Sequence, residues 1–188
     1  MIPYGKQSID EADIQAVKDV LTSDWLTQGP KIDEFESLVA GDVGAKFALA
    51  MNSATSALHI ACLACGIGEG DLVWTTPNSF VATANCALYC GAKVNFVDIE
   101  DEYYCLSVDL LQKKLELASE ANSALPDAVI IVHFAGQARS LEKFAELAQK
   151  YNFKLIEDAS HAVGATYGDR KIGSCKHSDV TLFSFHPV

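Results

Sequence analysis

Short apolar runs alternate with amphipathic segments along most of the chain, and this alternation constrains the fold more than any other feature. The runs have the length of buried strands and lie at residues 47–51, 72–74, 94–97, 128–133, 155–157 and 180–185. Apolar residues recur at helical spacing between them, over residues 55–65, 80–89, 108–121 and 140–151. Strands that alternate with helices predict βαβ units, so we expect an α/β fold with a mostly parallel sheet and helices on both faces.

Two further helices are predicted before the first strand. Ser8 and Glu11 have the spacing of a capping box, which predicts the start of the first helix. A loop over residues 25–30, broken by Gly29 and Pro30, separates it from a second helix that we expect to end at Gly41.

Composition excludes several classes of function. The 188 residues carry 14 Lys+Arg and 25 Asp+Glu, a formal charge of −11, which argues against a nucleic-acid surface or an anionic membrane surface. No apolar run approaches the ~20 residues of a membrane span, and no signal peptide is visible. Six cysteines without a secretory signal predict reduced thiols and a cytoplasmic location.

Polar residues fall where the predicted strands end. The strand-end segments are 52–55, 75–80, Asp98, 133–137, 158–161 and 184–186. Ligands of such sheets bind beyond the carboxyl ends of the strands, so these segments are expected to meet on one rim and form an active site.

Two of these segments indicate a chemistry. Residues 52–58 join a strand to a helix, and their small side chains let backbone N–H groups approach an anion. An ordinary helix cap by Ser53 or Thr55 explains them equally well. Asp158 ends a strand ahead of small residues and could pair with a pyridinium nitrogen, although a helix cap or a metal carboxylate are alternatives. The surrounding residues lack regular metal-ligand spacing, so no metal site is predicted.

Two other strand-end positions have open interpretations. Phe80 could stack on a planar ring, but a phenylalanine at such a junction is more often part of the core. Ser184 and His186 end an apolar strand, where a hydroxyl and an imidazole are unusual, and they could simply cap the next turn.

Taken together, five segments carry a family resemblance: residues 25–30, 52–58, 157–165, 171–174 and 183–188. In this order they resemble the DegT/DnrJ-type sugar aminotransferases, which use pyridoxal 5′-phosphate on the fold-type I scaffold. The resemblance implies an N-terminal arm and helix over residues 1–30. It implies an incomplete cofactor-binding large domain over residues 31–188, truncated, with the small C-terminal domain absent.

The resemblance also implies roles for single residues. Asp158 would hold the pyridinium nitrogen, and Phe80 would stack on the ring. The implied phosphate contacts are Ala54, Thr55 and Ser184. His161 stands where many members carry glutamine, near the phenolic oxygen of the ring. Thr27 and Gln28 would lie near the sugar.

The activity implied is transfer of an amino group from L-glutamate to C4 of a UDP-4-keto-6-deoxy-N-acetylhexosamine, in pseudaminic acid or related nucleotide-sugar biosynthesis. The family works as homodimers. Its covalently binding lysine is expected directly after Val188, so we expect the chain to be an N-terminal fragment that is inactive alone.

Three alternatives to this activity are open. One is a lysine-free sugar dehydratase that uses pyridoxamine phosphate, and another is a non-catalytic remnant. A nicotinamide-dependent enzyme is disfavoured, because the glycines of residues 66–70 follow a helix and not a strand.

Overall fold

The computed structural model describes residues 7–186 of the chain. Its helices are α1 (Glu11–Leu21), α2 (Pro30–Val43), α3 (Ala54–Ala64), α4 (Ala82–Tyr89), α5 (Val108–Glu120) and α6 (Leu141–Tyr151). Its strands are β1 (Leu72–Thr75), β2 (Lys93–Phe96), β3 (Ala128–Val132), β4 (Lys154–Asp158), β5 (Thr166–Tyr167), β6 (Arg170–Lys171) and β7 (Val180–Leu182). Residues 1–6 of the predicted arm and residues 187–188 of the last motif lie outside the described residues.

Five strands form a parallel sheet in the order β2-β1-β3-β4-β7, and β5 and β6 form a separate antiparallel hairpin. The expected parallel α/β sheet is therefore confirmed. Because all five strands run the same way, their carboxyl ends share one edge, and the segments that follow them meet there.

Each face of the sheet has its own core, because successive side chains of a strand point to opposite faces. Ile130 and Ile156 pack in one cluster with residues of α3 and α4. Val129 and Leu155 pack in the other, with residues of α5 and α6. On β4 this alternation directs Glu157 toward the α5/α6 face and Asp158 toward the α3/α4 face.

The predicted strand over residues 47–51 is wrong. The structure assigns no strand there, and Phe47 and Leu49 are about three-quarters exposed. The backbone N–H of Ala50 donates to the Glu36 carboxylate at 2.7 Å, and not to the carbonyl of a neighbouring strand. An apolar run alone does not supply the partner that a strand needs.

Two predicted helix ends also differ. The N-cap of α1 is Asp10, whose carboxylate accepts from Ala12 and Asp13, while the Asp13 carboxylate accepts from Asp10. This capping box replaces the one predicted at Ser8. Helix α2 continues through Gly41 and ends at Val43, and its C-cap is Gly44, whose φ of 75° suits a glycine.

Helix α5 offers a matched test of the α5/α6 core. Leu115 is fully buried, whereas Leu117 on the same helix is 56% exposed. We expect Leu115→Ala to lower the free energy of unfolding by about 2–5 kcal/mol, because it leaves a cavity. Leu117→Ala is expected to change it by about 0.5 kcal/mol or less. Urea unfolding of both variants measures the difference, and equal losses would contradict the assignment of this core.

Within residues 7–186, the structure contains no helix with both the length and the apolar character of a membrane span.

Candidate active site at the carboxyl edge of the sheet

Asp158 is the centre of a hydrogen-bond network at the end of β4. Its side chain is 3% exposed. The Thr83 hydroxyl, on α4, donates to Oδ2 of Asp158 at 2.8 Å, and the Ser79 hydroxyl lies 2.6 Å from that of Thr83. Ser160 donates to Oδ1 of Asp158 through its hydroxyl, at 2.6 Å, and through its backbone N–H, at 3.2 Å. The carboxylate is therefore fixed from both sides, by α4 and by the turn after β4.

The network leaves Asp158 able to accept one more hydrogen bond. A carboxylate has about four acceptor positions, and the three donated bonds leave one of those on Oδ2. Among residues 7–186, no lysine, arginine or histidine forms an ion pair with Asp158. A buried carboxylate without a cation is unfavourable in isolation. The site therefore fits a ligand that presents a cationic N–H group. A turn and not a helix follows Asp158, and among residues 7–186 no group of three or more His, Cys, Asp or Glu side chains is arranged to hold a metal ion.

Phe80 lies in the turn between β1 and α4, one residue ahead of the helix N-cap Val81. Its side chain is 73% exposed, so it is not the core residue that a phenylalanine at such a junction usually is. Three residues along the chain, Thr83 contacts Asp158. The exposed Phe80 ring therefore belongs to the turn that leads into the helix contacting the carboxylate, at the same edge of the sheet.

The N-terminus of α3 lies on the same face as Asp158. Ser53 is its N-cap and accepts from the backbone N–H of Ser56 at 3.2 Å, so the cap interpretation of this segment is correct. Ala54 and Thr55 begin the helix and are half-buried. The first N–H groups of a helix lack intrahelical acceptors and favour an anion. The cap and an anion-binding role are therefore compatible.

Ser184 follows β7, the strand against which α3 packs. Its hydroxyl oxygen accepts from the backbone N–H of His186 at 3.2 Å, so Ser184 does cap the next turn. The hydroxyl proton of Ser184 is not used by that contact, and a serine has a further lone pair. Among residues 7–186 the Ser184 hydroxyl donates no hydrogen bond, so within the described part of the chain its proton is available to a ligand on the rim.

The other predicted site residues are exposed. His161 follows the Asp158 turn, and its ring centroid lies 6.2 Å from that of Phe134. Gly136, in the turn after β3, approaches the carbonyl of His161 so closely that a Cβ would lie 3.0 Å from that oxygen. Thr27 and Gln28 lie in the loop between α1 and α2, where Gln28 has a φ of 48°.

Glu157 forms a second buried polar cluster, on the opposite face from Asp158. It is 3% exposed, and its Oε2 lies 2.7 Å from Nε2 of His133, which is 2% exposed. The hydroxyls of Ser178 and Thr181 donate to its Oε1. Sequence reasoning found neither these hydroxyls nor Thr83. The sequence did contain one signal for such partners. Two adjacent carboxylates end a buried strand, so one must be buried on each face of the sheet and needs hydrogen-bond donors there.

The pKa of Glu157 follows from this cluster. Burial alone would raise the pKa, but hydrogen bonds from His133, Ser178 and Thr181 stabilise the carboxylate, and the net effect lowers it below its ordinary value of 4.5. A pKa that is lower in the folded state contributes stability above the unfolded pKa. That contribution is lost as the pH falls through the folded pKa.

We therefore expect Glu157→Gln to flatten the pH dependence of stability in acid. Between about pH 5 and pH 3, the free energy of unfolding of the parent should fall more steeply than that of the variant. Urea unfolding at several pH values across this range measures the difference. Parallel curves would show that Glu157 does not titrate differently in the folded and unfolded states.

A concavity of about 570 Å³ lies at the other edge of the sheet, below the strand starts. Its carboxylates are used by the backbone. Asp127 accepts from the N–H of Leu72, and Asp179 accepts from the N–H of Leu155, each at 2.8–2.9 Å. These contacts organise the starts of the strands.

The family model of the DegT/DnrJ/EryC1/StrS aminotransferases matches residues 7–188. A curated relative from Campylobacter jejuni (strain 81-176), UDP-4-amino-4,6-dideoxy-N-acetyl-beta-L-altrosamine transaminase, is 46% identical over the whole chain and is covered over 48% of its own length. The chain thus spans about half the length of the curated relatives it matches.

Solved structures show the same similarity. Helicobacter pylori PseC, an aminotransferase involved in the biosynthesis of pseudoaminic acid, superimposes with a TM-score of 0.90 at 32% identity, over 99% of this chain and 48% of that one. The PLP form of Spr1654 from Streptococcus pneumoniae, titled a putative sugar aminotransferase, superimposes with a TM-score of 0.87 at 27% identity. The match covers 100% of this chain and 49% of that chain. The fold is therefore that of the fold-type I aminotransferases, and the fold prediction is confirmed.

Proposed function

Because the chain belongs to the DegT/DnrJ/EryC1/StrS aminotransferase family, we propose that it forms the cofactor-binding part of a sugar aminotransferase. The family and the PLP form of its neighbour indicate pyridoxal phosphate as the cofactor. The observation that carries the proposal is the buried Asp158 carboxylate, with one acceptor position available and no cation paired to it among the described residues.

Asp158 is the residue we assign to the pyridine nitrogen of the cofactor. When bound, pyridoxal phosphate supplies an electron-withdrawing ring that makes a proton on the amino-bearing carbon acidic. An anion beside the nitrogen keeps the nitrogen protonated, and protonation makes the ring a better electron sink. Thr83 and Ser160 hold the carboxylate, so it does not need to reorganise when the cofactor enters.

The remaining cofactor contacts are those that the family resemblance implies, and all of these residues lie beyond strand ends or at a helix start. Phe80 presents an exposed ring for stacking. The phosphate is assigned to the start of α3, at Ala54 and Thr55, with a further contact from the Ser184 hydroxyl. We assign His161 to the phenolic oxygen of the ring on the resemblance alone.

The substrate assignment draws on the relatives. The matched Campylobacter transaminase acts on a UDP-linked dideoxy amino sugar by its name. We propose a UDP-4-keto-6-deoxy-N-acetylhexosamine as amino acceptor and L-glutamate as donor, in pseudaminic acid biosynthesis, with Thr27 and Gln28 near the sugar. A homodimer is the proposed assembly. The covalently binding lysine is proposed to follow Val188 directly.

The test is amino transfer by the protein that carries this chain. L-glutamate and the keto sugar nucleotide are supplied, and the amino sugar is followed by mass spectrometry. We expect a product that carries an amino group in place of the 4-keto oxygen, with 2-oxoglutarate formed in equal amount. A protein that binds pyridoxal phosphate but leaves every keto sugar nucleotide unchanged would contradict the proposal. Loss of water from the sugar, in place of amino transfer, would identify a dehydratase.

A further inference from the structure

Glu157 is a buried charge that the proposed function does not use. It neighbours Asp158 in β4 but faces the opposite side of the sheet, so it cannot touch a cofactor bound at Asp158. Its side chain is 3% exposed. Burying a carboxylate is costly unless hydrogen bonds compensate for the lost water, so its role should lie in the groups that it holds.

Those groups come from two different segments of the chain. His133 follows β3, and its Nε2 lies 2.7 Å from Oε2 of Glu157. A carboxylate only accepts, so this geometry assigns the imidazole proton to Nε2. Ser178 precedes β7 and Thr181 lies within it, and both hydroxyls donate to Oε1. Glu157 thus joins its own strand to the end of β3 and to β7.

The same three strands are joined through the backbone beside Asp158. The N–H of His133 donates to the carbonyl of Asp158 at 3.0 Å. The N–H of Ala159 donates to the carbonyl of Leu182 at 2.9 Å. Two residues beyond Leu182 is Ser184. Glu157 and its three partners therefore join the strand ends that carry Asp158 and Ser184.

We propose that Glu157 is a positioning residue for the cofactor site: by binding His133, Ser178 and Thr181 together, it fixes the strand ends that carry Asp158 and Ser184. The expected effect on cofactor binding rests on the proposed function. A carboxylate suits the position because all three partners donate. The amide of glutamine would direct an NH₂ group at one of them, and that partner would have to reorient.

The test compares Glu157→Gln with Lys154→Met. Lys154 begins the same strand and also joins it to the β7 segment, through an exposed ion pair with Asp179 at 2.9 Å, but at the opposite end of the sheet. Pyridoxal phosphate binding is measured by absorbance titration of the protein that carries this chain, at a temperature where each variant is fully folded. Backbone hydrogen exchange over residues 158–162 and 182–184 is measured without cofactor.

We expect Glu157→Gln to raise the Kd for pyridoxal phosphate about tenfold, the effect of weakening a hydrogen bond to a charged group. It should also speed exchange in both segments. Lys154→Met should change neither. A Glu157→Gln variant with a lower Tm but an unchanged Kd and unchanged exchange would overturn the proposal and leave a purely structural role. If the parent binds no pyridoxal phosphate, the proposed function fails. Hydrogen exchange alone then decides whether Glu157 positions the strand ends.

Discussion

Replacing Asp158 with asparagine is expected to lower kcat/KM for amino transfer by about a thousandfold. In the proposed site the negative charge of Asp158 would hold a proton on the pyridine nitrogen, and asparagine removes the charge while keeping the shape. Two unit charges about 4 Å apart at an effective dielectric constant of about 20 interact with about 4 kcal/mol. That energy corresponds to about a thousandfold in rate. Steady-state kinetics with L-glutamate and the keto sugar nucleotide measure the loss.

The matched control for this variant is Asp98→Asn. Asp98 follows β2 and was expected on the same rim, but the proposed site assigns it no contact with cofactor or substrate. It is exposed, and its Oδ1 accepts only from the neighbouring N–H of Ile99 among the described contacts. Its replacement should leave kcat/KM within about twofold of the parent, as expected for a surface substitution. Similar losses in the two variants would contradict the role given to Asp158.

Replacing Phe80 with alanine is expected to raise the Kd for pyridoxal phosphate about thirtyfold. In the proposed site the ring would cover one face of the cofactor, and stacking together with the apolar area that it buries would contribute about 2 kcal/mol. Because Phe80 is 73% exposed in the structure, its loss should hardly change the free energy of unfolding. Titration of the variant with the cofactor, followed by absorbance, measures the change.

Val81 provides the control for Phe80. It is the next residue in the same turn and is 60% exposed. Val81→Ala should leave the Kd close to that of the parent, and Phe80→Tyr should largely restore it, because tyrosine keeps a ring that can stack. The stacking role would be refuted by a Phe80→Ala variant that binds the cofactor as tightly as the parent, or that loses affinity only because it unfolds.

The sheet and most helices could be predicted because their signals are local. Residues of β3 form a continuous apolar run, and those of α6 place Leu141, Phe144 and Leu147 on one buried face. The short hairpin of β5 and β6 was not predicted, since two residues per strand carry no periodicity. The run over residues 47–51 was assigned to a strand by the same local rule. It failed because pairing depends on a partner distant in the chain.

The candidate site divides in the same way. Asp158 and Phe80 follow strands of the sheet, so the rule that ligands bind beyond the carboxyl ends of strands locates them. The start of α3 was expected on the same rim only through the predicted strand over residues 47–51, which the structure does not contain. The contact of Thr83 with Asp158 could not be predicted, because it depends on how α4 packs against the end of β4. The hydroxyl partners of Glu157 depend on the pairing of β4 with β7, which brings residues 21 and 24 positions apart into contact. Its partner His133 depends on the pairing of β3 with β4. The sequence does not encode that register locally.

A crystal structure of the protein that carries this chain, determined with pyridoxal phosphate, tests the central claim most directly. We predict that the pyridine nitrogen lies about 2.7–2.9 Å from Oδ2 of Asp158, the distance of a charge-assisted hydrogen bond. The phosphate should lie at the N-terminus of α3, and the ring should lie against Phe80. A cofactor bound elsewhere, or one whose ring nitrogen faces away from Asp158, would contradict the account.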